Sequence, residues 1–145
     1  MRAKDIQLAV IDMAGTTVAD DGLVVEAFEA AASAAGLPES GPEREHARQY
    51  VLDTMGQSKI TVFRALFDDE SAAARANAAF ERAYADLIGD GGAAPIPGAA
   101  DAISRLRGAG IKVALTTGFS PDTQAKLIAA LGWHDVADLV LAPGD

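Results

Sequence analysis

Three short apolar runs lie along the chain, and each ends at a polar or glycine-containing turn. They occupy residues 6–11, 111–116 and 137–141. A nearly continuous run such as Ile6–Ile11 is typical of a parallel strand that is buried on both faces of a sheet. The three runs therefore predict three strands of an α/β protein.

Helical patterns fill the segments between these runs. Apolar residues such as Val24 and Phe28 recur at the spacing found on the buried face of an amphipathic helix. Ser71 is a predicted N-cap, and so is Ser120, which is followed by a proline at the first helical position. The predicted helices cover residues 23–35, 44–52, a segment that begins at 58 or 59, 71–88, 99–107 and 121–131.

The order of these elements predicts a parallel sheet covered by helices. The helical stretch between the first and second strands is too long for a simple crossover connection. We therefore expect residues 21–92 to form an inserted helical cap. Residues 1–20 and 93–145 are then expected to form the core that contains the sheet.

Composition and charge narrow the classes of function. The chain has 145 residues, half of them hydrophobic, and a net charge of −9, which predicts about one domain with a real core. The basic residues of the chain are scattered along the sequence. No nucleic-acid partner is expected, because binding to a phosphodiester backbone requires clustered positive charge. The chain contains no cysteine, which excludes disulfides, thiolate zinc sites and cysteine nucleophiles.

The sequence carries no signal for secretion or for membrane insertion. The segment Met1–Asp5 is too polar and too short for a signal peptide. No apolar run approaches the roughly 18 residues that a membrane span needs. The expected location is therefore the cytoplasm. A homodimer remains one possible quaternary state, since the sequence does not specify how many chains associate.

A candidate site follows the first predicted strand. Ligands of open parallel sheets bind beyond the carboxyl ends of the strands, and Asp12 lies at such an end as a candidate nucleophile or metal ligand. Ala14 and Gly15 lack bulk, so the backbone can approach a phosphoryl group closely. Thr16 and Thr17 add hydroxyl donors. The alternative is an ordinary turn, because Asp, Gly and Thr often flank strands.

A second turn of this kind follows the second predicted strand. Thr117 and Gly118 come directly before the helix whose N-cap is Ser120. A threonine hydroxyl and free amides at a helix start suit a phosphate oxygen, although an ordinary N-cap region contains the same residue types. The second turn strengthens the interpretation of the first as part of a phosphate-binding site.

Together these motifs resemble those of the haloacid dehalogenase superfamily. Asp12–Thr17 is similar to the first motif of its phosphonatase branch, in which alanine replaces the second aspartate of most members, as Ala14 does here. Thr117 matches the serine or threonine of the second motif. Met55–Lys59 resembles the cap segment that carries the catalytic lysine of phosphonatases. The resemblance runs from the first strand to the last residue, and the spacing fits throughout.

The resemblance implies a Rossmann-like core, incomplete here with about three strands, and an inserted helical cap. It implies that Asp12 and Lys59 are catalytic and that Mg²⁺ is held by Asp12 and the Ala14 carbonyl. The implied substrate-binding residues lie in the three motifs and are Gly15, Thr16, Met55, Gly56, Thr117 and Gly118.

Ala14 and Lys59 favour the same chemistry. Ala14 cannot protonate a departing alkoxide, as the second aspartate of the superfamily's phosphatases does, so a phosphate monoester would leave badly. A C–P bond needs an electron sink instead, which a Schiff base between Lys59 and a β-carbonyl supplies. The predicted function is hydrolysis of a 2-oxo-alkylphosphonate, such as phosphonoacetaldehyde, through an aspartyl phosphate on Asp12. A solvated surface lysine is the alternative for Lys59.

Departures from the phosphonoacetaldehyde hydrolase pattern keep other functions open. Val62 stands where those hydrolases have a histidine, Phe119 stands where they have a tyrosine, and their cysteine after the first motif has no counterpart. A phosphatase or phosphomutase that acts on a small phosphate ester and uses Lys59 as a plain cation is one alternative. An inactive truncated domain is the other.

The family pattern continues after the position of Asp145 with a basic residue, an acidic magnesium motif and two further strands. One of those strands pairs beside the first strand. We therefore expect a C-terminally truncated chain in which the strand that carries Asp12 is an exposed apolar edge. Such a chain is predicted to be poorly stable or to self-associate, with little activity.

Overall fold

The structure is a computed structural model that describes residues 5–144. Its strands are β1 (Leu8–Asp12), β2 (Val18–Ala19), β3 (Ala94–Pro95), β4 (Lys112–Thr116) and β5 (Leu139–Leu141). Its α-helices are α1 (Leu23–Ala34), α2 (Pro42–Asp53), α3 (Lys59–Leu66), α4 (Glu70–Leu87), α5 (Ala99–Gly108) and α6 (Pro121–Leu131). A π-helical turn at Ile88–Gly92 follows α4.

β1, β4 and β5 form a parallel sheet in the order β1-β4-β5. This arrangement confirms the predicted α/β class with three parallel strands and covering helices. Asp12 lies beside Thr116 in the register, so the turns that follow β1 and β4 meet at one edge of the sheet. β2 and β3 form a separate antiparallel pair, which was not predicted because each strand has only two residues.

β1 lies at the edge of the sheet. Within residues 5–144 it pairs only with β4, as was predicted for the strand that carries Asp12. The prediction that this strand is buried on both faces is wrong, because Leu8 and Val10 are 54% and 61% exposed. Alternate residues of a strand face opposite sides of the sheet, and the side that carries these two is open to solvent along β1.

The helices between β1 and β4 pack through small side chains. α1 and α4 contact each other along much of their length. Both bury faces that are rich in alanine: Ala27, Phe28, Ala31 and Ala32 in α1, and Ala72, Ala73, Ala76, Ala79 and Phe80 in α4. Alanine-rich faces let helices approach closely, so a chain with few aromatic residues still forms a core. The division of the chain into a cap at residues 21–92 and a core stays a prediction.

Two helix starts show how capping residues set element boundaries. α6 begins at Pro121, and the Ser120 hydroxyl accepts a hydrogen bond from the backbone N–H of Thr123, as predicted. Ser71 was predicted to cap α4, but Asp69 does so. Its carboxylate accepts hydrogen bonds from two backbone N–H groups, at Ser71 and Ala72, which a single serine hydroxyl does less well.

The remaining residues of interest from the sequence are either buried in the core or exposed on the surface. Phe80 and Trp133 are buried, as expected, and His46 and His134 are exposed. Arg64, whose orientation the sequence left open, forms an exposed ion pair at the surface. Among residues 5–144, no helix is both long enough and apolar enough to cross a membrane.

Candidate active site

The turn after β1 is held in place by its own backbone. The Met13 N–H donates to the Thr116 carbonyl of β4 at 3.0 Å, which ties the turn to the neighbouring strand. The Thr17 hydroxyl is buried and donates to the Asp12 carbonyl at 3.1 Å, so it supports the turn. Gly15 has φ +78°, a conformation that favours glycine. These contacts fix the backbone of the turn from which the Asp12 side chain extends.

The Asp12 carboxyl group lies at the boundary between the interior and solvent. Burial raises its pKa above the ordinary value, and a hydrogen bond from the Met13 backbone, the charge of Lys59 and the Thr16 hydroxyl act in the opposite direction. A carboxylate with a raised pKa is a stronger base and a better nucleophile than an ordinary one. Asp12 therefore interacts with Thr16 from its own motif and with Lys59 from a distant motif.

The turn after β4 touches the segment that carries Lys59. A Cβ atom added to Gly118 would lie 2.0 Å from the Gln57 carbonyl oxygen and 2.9 Å from that of Gly56, so glycine is required there. The Lys59 N–H donates to the Gly118 carbonyl at 3.2 Å. Thr117 is buried, and its hydroxyl oxygen accepts a hydrogen bond from the Phe119 N–H. Two motifs about 60 residues apart in the sequence thus form one surface.

Lys59 is buried, although it carries an amine. It begins α3, and only 3% of the residue is exposed. Its Nζ donates to the Gln57 carbonyl at 3.3 Å and lies 5.6 Å from the centre of the Phe119 ring and 6.0 Å from that of Phe80. The alternative of a solvated surface lysine is therefore wrong.

The electrostatic environment of Lys59 has two opposing parts. Burial lowers the pKa of its amine below the ordinary value. The carboxylates of Asp12, Glu81 and Asp20 act in the opposite direction without reversing the shift. An amine with a lowered pKa is uncharged for a larger fraction of the time at neutral pH, which is the form that attacks a carbonyl carbon.

A cavity of about 120 Å³ opens beside the Lys59 side chain. Gly118 and Lys59 line it, and so do polar groups from α4 and the start of α6. Its full lining is Ser58, Lys59, Ile60, Asn77, Glu81, Gly118, Ser120, Pro121 and Pro143. The other predicted substrate-binding residues lie outside this lining. Met55 packs against the core, and Gly15 and Gly56 are exposed turn residues.

Sequence reasoning missed Glu81 of α4. Its carboxylate accepts hydrogen bonds from the Ser120 N–H at 3.3 Å, from the Ser120 hydroxyl at 2.7 Å and from the Thr123 hydroxyl. The same side chain lines the cavity beside Lys59. Its partners are 39 and 42 residues further along the chain, a separation that no local pattern reveals.

The described residues fit a magnesium ion only in part. Asp12 offers a carboxylate, and a backbone carbonyl such as that of Ala14 offers a second oxygen of the kind that Mg²⁺ prefers. Across residues 5–144, no group of three or more His, Cys, Asp or Glu side chains is arranged to hold a metal ion. The donors are of the right type, but the set is incomplete.

The fold and the site together define a class, the α/β proteins whose reactive groups lie beyond the carboxyl ends of parallel strands. Within that class, the family model of haloacid dehalogenase-like hydrolases matches residues 6–145. The chain belongs to this family. A comparison with curated proteins gives no match.

Several solved structures share the fold. A hydrolase from Pseudomonas syringae superposes with a TM-score of 0.74 at 18% identity, over 94% of this chain and 61% of that one. CbbY from Rhodobacter sphaeroides in complex with phosphate gives 0.72 at 22% identity, over 94% and 63%. A phosphonoacetaldehyde hydrolase-like protein from Oleispira antarctica gives 0.75 at 21%, over 97% and 54%. The chain therefore spans less than two thirds of the length of these proteins.

Proposed function

We propose that this chain is part of a hydrolase that cleaves the C–P bond of a 2-oxo-alkylphosphonate, such as phosphonoacetaldehyde. Lys59 forms a Schiff base with the substrate carbonyl, and Asp12 accepts the phosphoryl group. Membership of the haloacid dehalogenase-like hydrolases supports hydrolysis in general. The choice of a phosphonate depends on the residues of the site.

The observation that carries the proposal is the burial of Lys59 beside the motif turns. A buried amine on aromatic rings is costly to charge, and its lowered pKa favours the nucleophilic form. A lysine that served only to attract an anion would be better placed with its charge fully retained. The environment of Lys59 thus suits imine formation.

The proposed steps conserve atoms and electrons. The Lys59 Nζ attacks the carbonyl carbon, and loss of water leaves a protonated imine. An Asp12 carboxylate oxygen then attacks phosphorus, the C–P bond breaks, and its electron pair moves into the imine to give an enamine. Water cleaves the aspartyl phosphate and releases phosphate. The enamine takes a proton at carbon, and hydrolysis of the resulting imine frees Lys59.

Ala14 supports a C–P substrate over a phosphate ester. Its side chain carries no proton that could be given to a departing alkoxide oxygen, so ester cleavage at Asp12 lacks a general acid at this position. An enamine leaving group takes its proton at carbon after the bond has broken. Ala14 therefore weakens the leaving-group step of a phosphatase mechanism but does not affect C–P cleavage in a phosphonatase mechanism.

Magnesium belongs to the proposal as a bound group that offsets the repulsion between Asp12 and an anionic substrate. Asp12 and the Ala14 carbonyl would hold it. The steps at Lys59 do not depend on this ion.

Reductive trapping tests the proposal. The chain is incubated with phosphonoacetaldehyde, reduced with borohydride, and digested for peptide mass spectrometry. We expect an added mass on Lys59 that disappears in Lys59→Ala. Lys126→Ala is the matched control, because Lys126 is an exposed lysine in a surface ion pair. Equal labelling of Lys59 and the exposed lysines would contradict a role specific to Lys59.

A phosphatase that acts on a small phosphate ester is the second candidate. The charge of Lys59 acts on the Asp12 carboxylate, and a cation in that position would also attract a phosphoryl group. On this account Lys59→Arg retains ester hydrolysis, because the charge is kept. On the phosphonatase account Lys59→Arg abolishes C–P cleavage, because a guanidinium group forms no Schiff base. Phosphate release from each substrate distinguishes the two candidates.

A further inference from the structure

The cavity beside Lys59 has room for part of a substrate. Its volume is about 120 Å³, and a water molecule occupies roughly 30 Å³ of the liquid, so the cavity holds about four non-hydrogen atoms. Lys59 lines this cavity, and its charge acts on the Asp12 carboxylate, which lies outside the lining. Ile60, Pro121 and Pro143 give the cavity an apolar part. A phosphonate group directed at Asp12 therefore leaves the cavity for the second substituent of the carbonyl carbon.

Asn77 of α4 is a polar member of the lining with unused hydrogen-bonding groups. The residue is half-buried and lines the cavity together with Lys59. Its side-chain amide forms no hydrogen bond with the described part of the chain. An asparagine side chain offers an acceptor oxygen and an NH₂ donor. Both groups are available to a molecule in the cavity.

Glu81 lies one helical turn after Asn77, on the same face of α4, and lines the same cavity. Its carboxylate accepts three hydrogen bonds, two from Ser120 and one from Thr123. Since a carboxylate has about four acceptor sites, one remains for a ligand. These donors carry no charge, so they leave the negative charge of the carboxylate uncompensated. The same charge acts on the Lys59 amine.

A hydroxyl group is complementary to this pair of side chains. Its O–H donates to the Glu81 carboxylate, and its oxygen accepts from the Asn77 NH₂ group. A carboxylate on the ligand would be repelled by Glu81. We propose that Asn77 and Glu81 form a hydroxyl-binding subsite, so that the preferred substrate is a 2-oxo-alkylphosphonate with a hydroxymethyl group on its carbonyl carbon. This inference rests on the proposed function, because it narrows the substrate class of the same site.

Two ligands that differ by one oxygen test the subsite. Hydroxyacetonylphosphonate carries the hydroxymethyl group, and acetonylphosphonate has a methyl group in its place. We expect the first to bind about tenfold more tightly, as measured by calorimetry in Asp12→Asn, which cannot cleave either ligand. In that background Asn77→Ala should reduce the preference to about twofold and leave the affinity for acetonylphosphonate unchanged. Gln49→Ala is the matched control, since Gln49 is an exposed amide on α2.

The charge of Glu81 is tested with phosphonopyruvate, which carries a carboxylate on its carbonyl carbon. We expect it to bind about tenfold more weakly than acetonylphosphonate, because two negative charges meet in the cavity. Glu81→Gln should remove most of this difference. Glu70→Gln, which changes an exposed carboxylate of the same helix, should not. An equal effect of both variants would contradict a local role of Glu81.

Reductive trapping of Lys59 with the same ligands separates this inference from the proposed function. An adduct on Lys59, with equal affinity for hydroxyacetonylphosphonate and acetonylphosphonate, would overturn the subsite and keep the Schiff base. A preference for the hydroxyl that depends on Asn77, without any Lys59 adduct, would overturn the Schiff base and keep the subsite. No binding of any of these phosphonates would overturn both.

Discussion

Lys59 combines a polar amine with an apolar environment, and this has a consequence for stability. The amine is surrounded by the rings of Phe80 and Phe119 and lacks the hydration that a surface lysine has. Its charged form is therefore less favourable in the folded chain than in the unfolded chain. Burial of the amine therefore lowers the free energy of unfolding at neutral pH.

Substitution of Lys59 by methionine should stabilise the fold. Burial lowers the pKa of Lys59 in the folded chain, whereas in the unfolded chain the pKa keeps the ordinary lysine value of about 10.4. Between these two pKa values the unfolded chain binds more protons than the folded chain. The free energy of unfolding of the unmodified chain therefore rises with pH through this window. In Lys59→Met this contribution disappears, and the melting temperature at neutral pH should rise by about 3 °C.

Thermal unfolding followed by circular dichroism between pH 6 and 10 measures both effects. Lys112→Met is the control, since Lys112 is an exposed residue of β4. A drop in melting temperature in Lys59→Met at neutral pH would mean that the attraction between the Lys59 amine and the nearby carboxylates outweighs the cost of its burial.

At the scale of elements, the Glu81 side chain links α4 to the start of α6 through hydrogen bonds. The Glu81 carboxylate of α4 accepts hydrogen bonds from Ser120 and Thr123 at the N-terminus of α6. A carboxylate in that position also interacts favourably with the helix dipole. The contact holds α4, whose Glu81 side chain lines the cavity beside Lys59, against the start of α6, which follows the turn that contains Gly118.

Removal of the Glu81 carboxylate should loosen this junction. We expect Glu81→Ala to lower the free energy of unfolding by about 1–2 kcal/mol, since a partly buried capping interaction is lost. Amide exchange at the start of α6 should become faster. Glu70→Ala is the control, because Glu70 forms an exposed ion pair with Arg64 and its loss should leave the melting temperature near that of the unmodified chain. Equal effects of both variants would contradict the capping role.

The sequence predicted elements well where local signals are strong. The Ser120-Pro121 pair fixes the start of α6, and continuous apolar runs locate β4 and β1 within two residues. The start of α4 was wrong because two candidate caps, Asp69 and Ser71, lie two residues apart and compete. Contacts such as that of Glu81 join distant segments, and they follow from tertiary packing, which sequence periodicity does not encode.

At the scale of the whole molecule, one face of the parallel sheet is partly open. Ile6, Leu8 and Val10 alternate along the edge segment, and Leu139 of β5 is exposed as well. An apolar edge strand with free backbone groups favours pairing with another chain. The sequence predicted the edge but not the exposed face, because the apolar run alone does not tell which faces neighbouring elements cover.

The exposed edge predicts self-association that a single charge should reduce. Val10→Lys places a charge on the exposed face of β1, so the sedimentation coefficient should become less dependent on protein concentration. Leu52→Lys is the matched control, since Leu52 is an exposed apolar residue on α2, away from the sheet. Association that Leu52→Lys reduces and Val10→Lys does not would assign the contact to the helical segment.

The site, like the sheet, could be predicted only in part. The motifs predicted Asp12, Lys59 and Gly118 as site residues, and the structure brings Lys59 into contact with Gly118 and within electrostatic reach of Asp12. The aromatic surroundings of Lys59 were not predicted, since apolar and aromatic residues on a helix indicate core packing as readily as a substrate pocket.

The central claim is that Lys59 forms a Schiff base before Asp12 attacks phosphorus. Reductive trapping in Asp12→Asn tests this claim most directly. The variant lacks the nucleophile, so the imine accumulates before C–P cleavage. It can then be trapped without any turnover of the substrate. The account predicts a reduced adduct on Lys59 that still contains the phosphonate group, and in the unmodified chain an adduct from which phosphate has been lost. No adduct on Lys59 in either chain, or an equal adduct on the exposed Lys112 and Lys126, would contradict the account.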